Sequence, residues 1–151
     1  MKAEQKLQKL KIELPESAAP VGAYVPSVRT GNLIFTAGQL PIKDGQLIAT
    51  GKVAGEATLE QAKAAARQAC LNALSVVRAE TGSLDAVARI VRLNVFVNSA
   101  AGFTDQAKIA NGASELLVEI FGESGKHTRC AIGAAELPLN ASVELDLIVE
   151  V

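Results

Sequence analysis

"TLEQAKAAARQACLNALSVVRAETGSLDAVARIVRLNVFVNS", residues 58–99, changes its hydrophobic period partway along. In its first half Leu59, Ala62, Ala66, Ala69, Ala73 and Val77 recur at helical spacing. Thr58 and Gln61 have the spacing of a capping box, and Gly82 supplies the stop, so the pattern predicts a helix over 58–81. From residue 88 to 97 the period falls to two, which predicts a strand with Val91, Leu93, Val95 and Val97 on one side and Arg92, Asn94 and Phe96 on the other. An alanine-faced helix leading into a half-buried strand favours close backbone approach between a helical layer and a sheet.

The flanking segments extend that plan. A second helix is expected from about Thr104, as N-cap, to Phe121, with an apolar stripe of Ala107, Ala110, Leu117 and Phe121 and with Gly122 past its end. A short helix near residues 2–10 is a further candidate. "NLIFTAG" (32–38) reads as a strand, joined through "RTGN" to residues near Tyr24–Val28. "TRCAIGAAE" and "SVELDLIVEV" flank the turn-like "LPLNA" and are expected to form a C-terminal hairpin. The resulting class is α+β, a mixed β-sheet with two helices on one face.

Composition limits the functions available. With 151 residues and 49% hydrophobic content the chain is expected to form a single domain, with residues 1–16 as an N-terminal extension. Only four phenylalanines, one tyrosine and no tryptophan leave the core to small aliphatic residues. A net charge of −1 without a basic cluster argues against nucleic acid as a partner. No apolar run approaches a membrane span, and the N-terminus lacks a signal-peptide core, so no membrane association and a cytoplasmic location are expected. Cys70 and Cys130 have no metal-ligand spacing, and the chain has one histidine, no phosphate loop and no dinucleotide fingerprint. No metal and no cofactor are expected.

Helices on one face leave the other face of the sheet open. In the last strand Val143, Leu145, Leu147 and Val149 share one side, leaving Glu144, Asp146 and Ile148 on the other, while Arg129, Ala131, Gly133 and Ala135 line one side of its expected partner. A surface of small apolar residues with isolated charges is expected to pack against further copies of the chain. In the expected hairpin Glu144 falls opposite Ala134, about 17 Å along the strand from Arg129. The two could meet only across a subunit interface.

Three stretches carry a family resemblance: "PVGAYVPSVRTGNLIFTAGQLPI", the helix and strand quoted first, and "TRCAIGAAELPLNASVELDLIVEV". In order and spacing, over roughly residues 17–151, they resemble the Rid (reactive intermediate deaminase, YjgF-type) family, in a somewhat longer subgroup. The resemblance implies a chorismate-mutase-like fold, a homotrimer with clefts between subunits, and hydrolysis of enamine and imine intermediates such as 2-iminopropanoate to 2-oxo acids and ammonia. The implied partner is a small-molecule carboxylate or imino acid. A non-catalytic trimeric binder of small carboxylic acids is the alternative, and ribonuclease activity or translation inhibition is a third.

By resemblance, Arg129 is the carboxylate anchor and Glu144 the group that orients or activates water. The residue types suit those tasks, since a guanidinium stays charged and grips a carboxylate with parallel donors, while a carboxylate can accept a proton from water. Backbone around Gly38 would line the cleft, Tyr24 would close it, and Asn111 matches a family asparagine. Ala37 and Ala131 stand where serine and cysteine are common in the main branch, and Ser114 stands where an aromatic is found. His127 and Lys126 are expected to add positive potential near Arg129.

Overall fold

The computed structural model describes residues 1–17, 19 and 22–151. Helix α1 (Ala3–Leu10) leads to strands β1 (Ser27–Thr30) and β2 (Leu33–Thr36), then to the short β3 (Ile42–Lys43) and β4 (Gln46–Leu47). After these come α2 (Leu59–Thr81), β5 (Arg89–Asn98), α3 (Gln106–Phe121), β6 (Thr128–Ala134) and β7 (Val143–Glu150). The main sheet has the order β1-β2-β7-β5-β6, with β6 parallel to β5 and the other pairs antiparallel. β3 and β4 form a separate hairpin whose turn places Asp44 and Gly45 at positive φ. Its signal in the sequence is "KDGQ", an Asp-Gly pair suited to a tight hairpin turn.

Helix α2 begins and ends as its sequence dictates. Thr58 Oγ1 accepts from Gln61 N at 3.1 Å, Gln61 Oε1 accepts from Thr58 N at 2.9 Å, and Gly82 adopts the left-handed C-cap. Ala62, Ala66, Ala69, Ala73 and Val77 are all buried. Their small side chains let α3 come close: a Cβ on Gly112 would collide with the Lys63 carbonyl oxygen. One apolar cluster runs from Ala3 and Leu7 to Val149, filled by aliphatic residues between the helices and the sheet. No helix among the described residues is long and apolar enough to cross a membrane.

Four expectations are corrected. The C-terminal hairpin does not form, because β5 lies between β6 and β7. The unit β5-α3-β6 is a parallel crossover, so its two strands pair with each other and residues 135–142 must step over β5 to begin β7. In β5 a bulge between Ile90 and Arg92 shifts the alternation, so Ile90, and not Val91, joins Leu93, Val95 and Val97 in the core. The N-cap of α3 is Asp105 in place of Thr104, and Asp105 pairs with Lys108 at 3.6 Å. The buried stripe of α3 is rotated toward Ile109, Ala113, Leu116 and Ile120, leaving Ala107 exposed and Phe121 half-buried.

The sheet has one covered and one open face. Val143, Leu145, Leu147 and Val149 are fully buried under the helices, while Glu144, Asp146 and Ile148 alternate with them on the other side. Register carries Val28, Phe35 and Ile148 along one rung of the open face, and Ile132, Phe96 and Glu144 along another. Val28, Phe35 and Ile132 remain 54%, 39% and 47% exposed in the single chain. Asp146 accepts from Asn94 Nδ2 at 2.7 Å, and Asn94 accepts from Arg92 Nε at 2.9 Å, so a hydrogen-bonded chain orders these polar groups on the open face.

Candidate functional site

Arg129 sits on the edge strand β6, in register with Leu93 and Leu147, and therefore projects from the helix-covered side of the sheet. There α3 presents Asn111 and Ser114, three residues apart on one helical face. The Arg129 Nη1 donates to Asn111 Oδ1 at 2.7 Å and to Ser114 Oγ at 3.1 Å. Ser114 Oγ lies 2.9 Å from His127 Nε2, and His127 Nδ1 lies 2.6 Å from the Gly125 carbonyl oxygen. Ala131, two residues beyond Arg129, is half-buried on the same side of β6. Lys126 pairs with Glu123 at 2.8 Å, which directs its charge to that partner.

Glu144 is held differently. It lies on β7 facing the open side, and the segment after β2 runs beside it through the paired backbone bonds of Gln39 and Leu145. A Cβ on Gly38 would stand 3.1 Å from the Glu144 carboxyl carbon and 3.2 Å from Oε1. The bare backbone at Gly38 therefore forms one wall of the carboxylate's pocket. Burial, reinforced by the nearby Asp146, pushes the Glu144 carboxyl above the ordinary carboxylate range. A carboxylate so shifted holds a proton more tightly than an ordinary one.

Tyr24 and Ala37 belong to neither cluster by direct contact. Both line a groove of about 900 Å³ together with Gly38, Leu40, Asn72 and Leu139. Tyr24 is 58% exposed before β1, and Ala37 N donates to the Pro26 carbonyl at 2.8 Å. The structure thus brings Arg129 together with Asn111, and Glu144 together with Gly38, but keeps the two sets apart. Glu144 aligns across β5 with Ile132, three residues from Arg129 and two strands away. That offset corresponds to about 14 Å between backbones, with the side chains on opposite faces. The hairpin-based register gave a longer separation for the wrong reason, although the two side chains do not meet within one chain in either arrangement.

Ser114 and His127, thirteen positions apart, are connected only by the fold. The available signal was the Asn111/Ser114 spacing, which puts both on the helical face that meets β6. Nothing in the sequence indicated that Gly125 holds the His127 ring. A Cβ on Gly125 would collide with the Leu117 carbonyl oxygen, so only glycine lets this turn sit against α3.

Residues 4–151 match the family described as "YjgF/chorismate_mutase-like, putative endoribonuclease". Protein TCP17 of Trypanosoma cruzi is 47% identical over 95% of this chain and 91% of its own length. A 2-iminobutanoate/2-iminopropanoate deaminase of Dermatophagoides farinae is 30% identical over 91% of this chain and 93% of its own. Among solved structures, Atu1372 of Agrobacterium tumefaciens, a protein of unknown function, superposes with a TM-score of 0.91 at 41% identity, covering 99% of this chain and 92% of that one.

Proposed function

The chain belongs to the YjgF/chorismate-mutase-like family, and we propose that it is a cofactor-independent deaminase of 2-imino acids working in clefts between copies of itself. The observation that carries this reading is Arg129, a guanidinium tied down by Asn111 and Ser114 at an exposed sheet edge, suited to gripping a small carboxylate. The relative from Dermatophagoides farinae, which bears the name of such a deaminase, supports the substrate class. The open face, with Val28, Phe35 and Ile132 exposed, supports assembly, and a homotrimer would lay the β6 edge of one copy against the open face of the next. Arg129 of one copy and Glu144 of its neighbour would then border one cleft, with Tyr24, Ala37, Gly38, Asn111 and Ala131 around it.

In this scheme Arg129 holds the carboxylate of R–C(=NH)–COO⁻, and Glu144 takes a proton from a water whose oxygen bonds to the imine carbon as the C=N π pair moves to nitrogen; Glu144 returns that proton to the nitrogen, giving the carbinolamine R–C(OH)(NH2)–COO⁻. The carbinolamine then releases ammonia, giving the 2-oxo acid R–CO–COO⁻. Placing the water and accepting its proton contribute about 10²- to 10⁴-fold. The test follows 2-oxo acid and ammonia release from 2-iminopropanoate generated in situ. Wild type should accelerate it and Arg129→Ala should not. Equal rates with and without protein would reject the reading.

A second reading is a trimeric binder of small carboxylates without turnover. Ala37 and Ala131 favour it, because each gives the cleft a methyl group where a polar side chain could assist the chemistry. Ligand-induced thermal stabilisation without ammonia release would identify that case. Ribonuclease activity has less support, since a net charge of −1 and an aromatic content of 3% offer little to hold a phosphate backbone and its bases.

A further inference from the structure

The guanidinium of Arg129 ends a chain of hydrogen bonds whose direction is fixed at its far end. The Gly125 carbonyl can only accept, so His127 Nδ1, 2.6 Å away, carries the hydrogen. In the neutral ring Nε2 is then a bare acceptor, and the Ser114 hydroxyl at 2.9 Å must donate to it. Serine and threonine inside helices often return the hydroxyl to the carbonyl four residues back, which lies within reach of Ser75 and Thr81 on α2 beside a second carbonyl acceptor. The single hydroxyl hydrogen of Ser114 goes instead to His127, which turns its lone pairs toward Arg129 Nη1 at 3.1 Å. Asn111 Oδ1 takes the other hydrogen of Nη1 at 2.7 Å.

We propose that Ser114 and His127 are positioning residues that select how Arg129 receives a carboxylate. With both Nη1 hydrogens engaged by the protein, the end-on fork made from the two terminal nitrogens is closed. The side-on fork of Nε and Nη2 remains, so a bound carboxylate lies along one edge of the guanidinium and in one plane with it. This fixes the direction in which the rest of the ligand leaves the anchor, and so the position of its imine carbon. Gly125, pressed against the Leu117 carbonyl, keeps the far end of the chain from drifting.

The inference rests on the proposed role of Arg129 as carboxylate anchor, and its test has one arm that needs no ligand. In nitrogen-15 spectra of the free protein, His127 should show the Nδ1–H tautomer, and the Arg129 Nη1 hydrogens should exchange slowly. Ser114→Ala and His127→Phe should each speed that exchange. In the imine assay both should lower kcat/KM at least about tenfold, with KM rising as the guanidinium loses a hydrogen bond and kcat falling as the imine carbon loses its position. Ser114→Thr, which keeps the hydroxyl, should restore kcat/KM to near wild type, and the double variant should cost no more than either single one. An Nε2–H tautomer in the wild type, or unchanged kcat/KM in both variants, would overturn the proposal. If Arg129→Ala keeps full activity, the anchor reading falls, and the ligand-free spectra still decide whether the chain of bonds holds the guanidinium.

Discussion

Gly38→Ala separates the placement of Glu144 from the stability of the fold. The added methyl would stand 3.1 Å from the Glu144 carboxyl carbon and 3.4 Å from its Cγ. Comfortable carbon contacts begin near 3.5–4.0 Å, so the carboxylate must retreat by about 0.4–0.9 Å. A misplacement of about 1 Å in a reacting group can cost about 10²-fold, so this shift should lower kcat roughly tenfold. KM should change little, because Arg129 lies on another strand and the opposite face. Gly38 is outside the left-handed region, and alanine there should leave stability unchanged or raise it by about 0.4–1 kcal/mol through the unfolded chain. The paired measurements are steady-state release of 2-oxo acid and thermal unfolding. A variant as fast as wild type would refute the placement of Glu144 at the reacting centre. A large fall in melting temperature would show that the neighbouring backbone, and not the flexible carboxylate, had been forced to move.

Three further perturbations have defined outcomes. Because the Glu144 carboxyl is raised, it binds its proton more tightly in the folded chain than in the unfolded one. Its contribution to stability is therefore complete below the unfolded value and is lost as pH rises through the folded one, so Glu144→Gln should flatten that part of a stability–pH curve and lower kcat about 10²-fold or more. Gly112→Ala drives a methyl into the Lys63 carbonyl, with backbone on both sides of the clash, and should cost about 1–3 kcal/mol in denaturant unfolding. The thiol of Cys70, fully buried and pushed up to about 12, should react with a maleimide only on unfolding, whereas the exposed Cys130 should label in the folded chain. Cys130 lies on the open face in the rung of Asn94 and Asp146, so its labelling should accelerate on dilution if copies of the chain cover that face.

The sequence alone determined the elements whose signals are local. The capping box at Thr58, the alanine face of α2 and the alternation of β7 each depend on residues a few positions apart and are present as read, while the first hairpin forms with its first strand at Ser27–Thr30, later than the expected Tyr24–Val28, and with Arg29 and Thr30 of the expected loop paired in it. The α+β class and the open face follow from those periods. Strand order was decided only in three dimensions, because pairing between β5 and β6 is won by the crossover of α3 over the sheet and competes with a turn that looks locally sufficient. The same tertiary step put Arg129 on the helix side, where Asn111 and Ser114 meet it across 18 and 15 positions of sequence and His127 is linked to it through Ser114. Periodicity can say which side of a strand a residue takes, but the partner it finds there depends on which element folds back over it.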